Sequence, residues 1–82
     1  MAMDYRPFIV RDPAICGGEP VLAGTRVTVR TVLASLAEGL DAAEVVSHFP
    51  TLTPEAVRAV IAFAAAAAAE DDMPLPSAPA YP

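Results

Sequence analysis

Cys16, followed by Gly17-Gly18, and His48 are the residues of this 82-residue sequence best suited to nucleophilic chemistry. A thiol in a glycine turn becomes a catalyst only when a base activates it. His48 is the single histidine, and no feature of the sequence ties it to Cys16. The expectation is therefore a non-catalytic protein, with Cys16 as a small, mostly buried residue packing a turn. His48 is expected as a structural or surface residue in the last turn of a short helix, where positive charge is mildly favoured. One cysteine and one histidine do not supply a structural metal site, and no cofactor is expected. Gly17-Gly18 and Gly24-Thr25 match neither GxGxxG nor the P-loop pattern, and the chain has no lysine to follow them. They read as turns. Asp12 is expected to brace the first of them through its own backbone.

Charge points to binding rather than catalysis. The formal net charge is −5. Residues 1–30 carry Arg6, Arg11, Arg26 and Arg30 against three acids, whereas residues 31–82 carry only Arg58 against seven. Such a balance argues against broad DNA affinity, which rests on neutralising phosphates, and suits a basic protein partner. Any DNA contact is expected through Arg11, Arg26 and Arg30. The third helix, with Thr53, Glu55 and Arg58 in its first turns, makes a poor reading surface. Arg26 has two readings of equal weight: an ion pair across the ribbon with Asp12 or Glu19, or a partner contact. At the other end, Glu70, Asp71 and Asp72 place three acids before Met73, Leu75 and Tyr81 on a proline-stiffened backbone. These six residues are expected to contact a cationic partner, the acids speeding encounter and the apolar side chains docking.

Behind these residues stand the elements that position them. Phe8 to Arg11 has the branched and aromatic content of a strand. After a loop from Asp12 to Glu19, Val21-Leu22, a turn at Ala23-Gly24 and Arg26-Val27 complete a ribbon over 8–27. Thr28 caps a first helix ending near Glu38, with Gly39 as its stop. Asp41 and Glu44 form a capping box for a short second helix that ends before Pro50. Thr53 and Pro54 start a third helix running to about Ala69. Its inward stripe is expected at Val57, Val60, Ile61, Ala64 and Ala68, with Phe63 off the edge. Met1 to Pro7 reads as a loose start and 70–82 as an extended or disordered tail. The fold class is thus α+β and mostly α: a short β ribbon, then a three-helix unit of helix-turn-helix type, in one domain over 1–69. The alanine run Ala64–Ala69 is too short and too weakly apolar to span a membrane. A lone cysteine and no leader-like start suggest the reducing cytoplasm. A ribbon this small does not stand alone, so a homodimer through the ribbon and the first helix is expected.

The run Asp12-Pro-x-Ile-Cys-Gly-Gly-x-Pro-Val-Leu-x-Gly-Thr-Arg-Val resembles the signature of a bacterial family known as domain of unknown function 433. The likeness extends from about Ile9 to Phe63, through Glu38-Gly39-Leu40 and Phe49-Pro50-x-Leu52-Thr53. Many members of that family are described as antitoxins paired with a PIN-like ribonuclease toxin. The resemblance therefore implies an antitoxin-like binding protein that sequesters a basic PIN-like ribonuclease and represses its own operon. Two alternatives stay open: a stand-alone helix-turn-helix-type DNA-binding regulator, and a small hydrolase using Cys16.

Overall fold

The computed structural model describes residues 3–70. Strand β1 (Ile9–Val10) pairs antiparallel with β2 (Val21–Leu22), setting Ile9 opposite Leu22 and Val10 opposite Val21. The returning segment joins them by a single bridge, Val21 to Thr28, and by the Leu22 N–H donating to the Val27 carbonyl at 2.9 Å. Helices α1 (Val29–Ala37), α2 (Ala42–His48) and α3 (Pro54–Glu70) follow, each packed on the other two.

Each helix begins where its capping residues stand. The Thr31 N–H donates to the Thr28 hydroxyl at 3.1 Å. At α2 the Glu44 N–H donates to Asp41 Oδ1 at 2.8 Å while the Asp41 N–H donates to Glu44 Oε1 at 3.1 Å, a reciprocal box. At α3 the Ala56 N–H donates to Thr53 Oγ1 at 3.1 Å. Side-chain acceptors of this kind satisfy amides that have no partner inside the helix, and each contributes about 1 kcal/mol. Gly39 closes α1 with φ +103°, which side-chain-bearing residues rarely adopt.

The core is built from Leu22, Val29, Val32, Val45, Leu52, Ala56, Val57 and Val60. Leu52 and Val57 bracket the start of α3 and are both buried. Leu22 and Val21 are also buried, so the helices of the same chain already cover the apolar residues of β2. The reason for expecting a dimer through the ribbon, an uncovered apolar surface there, is met within one chain.

Two expectations about packing change. Of the expected α3 stripe, Val57 and Val60 are buried, but Ile61 is 49% exposed and Ala68 is exposed. The buried face instead includes Ala56 and Ala59, and Phe63 packs against the core. Alanines weigh little in a hydrophobic pattern, yet their small size lets the neighbouring helices approach closely, and that contact rotates the helix. Of the stretch expected as a loose start, residues 4–7 are anchored instead. The Tyr5 ring meets Phe63 edge-on at 5.4 Å, and the Phe8 N–H donates to the Tyr5 carbonyl at 2.9 Å. Beside it, the Arg6 guanidinium bonds Asp4 and holds its carboxyl below the usual range.

Candidate functional site

The loop from Asp12 to Glu19 takes its shape from local chemistry. Asp12 accepts the Ala14 N–H on Oδ1 at 2.9 Å and the Ile15 N–H on its carbonyl at 2.8 Å, closing the turn at Pro13. Cys16, Gly17 and Gly18 then all take positive φ, at +51°, +66° and +85°, in a left-handed turn. A Cβ on Gly18 would meet only Pro13 Cα at 3.9 Å, so the demand for glycine there comes from the backbone angle and not from space.

This turn overturns one expectation. Cys16 is exposed, not buried. Its positive φ turns the side chain out of the core, and Sγ donates to the Arg26 carbonyl at 3.5 Å. Native protein is therefore expected to react with a thiol-specific reagent at one equivalent, at a rate within about tenfold of the unfolded chain, because accessible thiols react where buried ones are inert. Protection until denaturation would contradict this geometry. His48 ends α2 and is exposed. Among the described residues, no group of three or more His, Cys, Asp or Glu side chains could hold a metal ion.

All three arginines assigned to DNA contact engage this loop or its flank, but differently. Arg11 Nη1 donates to the Gly18 carbonyl at 3.4 Å. Arg30 Nη2 pairs with Glu19 Oε1 at 3.0 Å. Arg26 offers its carbonyl to Cys16, while its side chain borders a recess with Val10, Asp12, Ile15, Val21, Gly24 and Thr25. Of the two readings of Arg26, the ion pair is not formed: among the described residues no acid pairs with it, and Glu19 goes to Arg30 instead. The Arg30–Glu19 pair is solvent-facing, with side-chain exposures of 80% and 40%, and so contributes less than about 1 kcal/mol. Its effect is on charge, because Arg30 arrives already neutralised by its neighbour.

Sequence patterns missed a second surface. Pro20, Val29, Leu33, Ala34, Ala37 and Phe63 line an apolar groove that runs along α1 beside the middle of α3, and Glu19 and Arg30 line it too. The helical stretch 31–70 is acidic in sequence: Glu38, Asp41, Glu44, Glu55 and Glu70 stand against Arg58 alone. Ala34 and Ala37 are both exposed on α1, although helical spacing places Ala37 on the same face as Val29, Val32, Leu33 and Leu36. Of the residues assigned to partner contact, Glu70 is exposed at the end of α3. Asp71, Asp72, Met73, Leu75 and Tyr81 lie outside the described residues. Among those described, no helix is long and apolar enough to cross a membrane.

Comparison with known proteins adds family evidence. The family described as Protein of unknown function (DUF433) matches residues 9–64, which takes in the turn, the ribbon, α1, α2 and the buried part of α3. The chain is 38% identical over 61 residues to the uncharacterized protein y4eO of Sinorhizobium fredii (strain NBRC 101917 / NGR234), covering 74% of this chain and 28% of that protein. The chain thus spans less than a third of that relative's length. No solved structure matches.

Proposed function

The chain belongs to the family described as Protein of unknown function (DUF433), and on that basis we propose that it is a non-catalytic, antitoxin-like protein that binds and neutralises a basic PIN-like ribonuclease. The observation that carries the reading is the apolar groove between α1 and α3 in a chain of formal net charge −5. An apolar groove on a protein of net negative charge favours a partner that presents apolar side chains within a basic surface. Residues 70–82 extend the same chemistry, with acids that mimic phosphates and apolar side chains that dock beside a ribonuclease cleft. Adding the chain to the ribonuclease is expected to abolish RNA cleavage near equimolar ratio. Cleavage that persists at large excess of the chain would contradict the proposal.

A second reading, direct operator binding with or without the toxin, rests on the exposed Arg26 and Arg11. Arg26 is the stronger candidate, because among the described residues no acid forms an ion pair with it. Arg26→Ala is expected to weaken binding to all DNA sequences alike and to flatten the dependence of log K on log salt by about one unit. Arg30→Ala is expected to do less, since Glu19 already opposes that charge. If Arg58→Ala abolishes binding while Arg26→Ala leaves it intact, α3 reads the groove and the DNA-facing side is wrongly assigned. A titration of promoter DNA followed by anisotropy at several salt concentrations distinguishes these outcomes.

A further inference from the structure

The groove along α1 borrows support from a side chain outside it. Phe63 lines the groove from α3 and is only half-buried. Tyr5 meets its ring almost perpendicularly, with centroids 5.4 Å apart and planes at 86°, yet Tyr5 is not among the groove's lining residues. The backbone around Tyr5 is fixed locally. The Phe8 N–H donates to the Tyr5 carbonyl at 2.9 Å, closing a turn at Arg6-Pro7 that leads into β1. Asp4 Oδ1 accepts both the Arg6 N–H at 3.1 Å and Arg6 Nε at 2.9 Å. Met3 borders a recess with Ala62 and Ala65, so the segment lies across α3 at the level of Phe63.

We propose that Tyr5 is a positioning residue for the partner groove: it holds the Phe63 ring in the groove wall and so sets the shape the partner meets. This rests on the groove as the ribonuclease site proposed above. A phenylalanine on a helix has two common χ1 settings, and they carry the ring to different places. Perpendicular packing favours the setting in which the two rings meet. Its own helix does little to fix that ring. The residues three and four positions away are Ala59, Val60, Ala66 and Ala67, and only Val60 offers more than a methyl group. Phe63 falls within the family match over 9–64, whereas Tyr5 precedes it. The groove shape that Tyr5 imposes is therefore a source of partner discrimination separate from the shared fold.

Nuclear magnetic resonance of the free full chain, followed by calorimetric titration into the ribonuclease, tests this. Three-bond couplings to the Phe63 β-protons report its χ1 populations. The wild type is expected to hold one setting and Tyr5→Ala to average between two, with helical circular dichroism preserved. Ribonuclease binding should weaken at least about threefold, the factor lost when the competent setting is populated a third of the time. Tyr5→Phe keeps the ring and is expected to match the wild type in both readouts. Tyr5→Leu keeps apolar cover without the ring and is expected to act as Tyr5→Ala does, which keeps the test open should Tyr5→Ala unfold. One Phe63 setting in both ring-less variants would overturn the proposal. So would averaged couplings with unchanged affinity, or a Tyr5→Phe chain that fails to restore either. A wild-type chain that does not bind the ribonuclease would contradict the site and not the positioning, which the couplings decide alone.

Discussion

Leu22→Ala is expected to destabilise the protein by about 3 kcal/mol and to lower its melting temperature by roughly 15 °C. Leu22 is 1% exposed and is the largest fully buried side chain, set in the cluster where the ribbon meets the helices. It pairs with Ile9 across the strands, and its N–H is bonded to the Val27 carbonyl. Removing its side chain leaves a cavity where the ribbon packs on the helices. A domain this small has total stability near the low end of about 5–15 kcal/mol, so the loss is a large share of the whole. Val10→Ala, at a position 41% exposed in the same ribbon, is the comparison and should cost well under half as much. Thermal melts of both variants read the difference. A shift of only a degree or two for Leu22→Ala would mean that the ribbon is not docked as described.

The second large effect concerns binding. Ala34→Lys combined with Ala37→Lys is expected to weaken the proposed ribonuclease complex at least about thirtyfold, a loss of roughly 2 kcal/mol typical of one disrupted interface anchor. Both alanines are exposed on α1 and line the groove with Leu33 and Phe63. Two lysines fill the apolar floor and add positive charge opposite a basic partner, so both sources of affinity are lost. Lysine is nearly as good a helix former as alanine, and neither position is in the core, so melting should stay within a few degrees. Ala43→Lys, exposed on α2 outside the groove, controls for added charge and should bind almost as the wild type does. Equal affinity of all three proteins would move the contact away from the groove.

How far these surfaces were legible beforehand follows from how local their causes are. Thr28, the Asp41–Glu44 box and Thr53-Pro54 act within four residues of themselves, and the helices begin where those residues stand. The ribbon was legible for the same reason, as short branched runs around glycine turns. Its third segment shrank to one bridge because Thr25 folds back on Leu22, its hydroxyl donating to the Leu22 carbonyl at 2.8 Å. What stayed hidden depends on distant parts of the chain. The outward turn of Cys16 follows from three successive left-handed residues, a handedness that glycine permits but composition does not specify. The choice of Arg30 over Arg26 as the partner of Glu19 needed the junction of loop and α1. The rotation of α3 needed Tyr5 against Phe63 and helices close against Ala56 and Ala59. The apolar groove was the least visible, because its residues come from the loop, α1 and α3 and share no periodicity.

The most direct measurement is a calorimetric titration of the full chain into a purified PIN-like ribonuclease, the partner proposed for it. Saturable heat at one chain per ribonuclease, with a negative heat-capacity change from apolar burial and loss of cleavage over the same range, is the predicted result. Absence of heat and undiminished cleavage at micromolar concentrations of both proteins would contradict it.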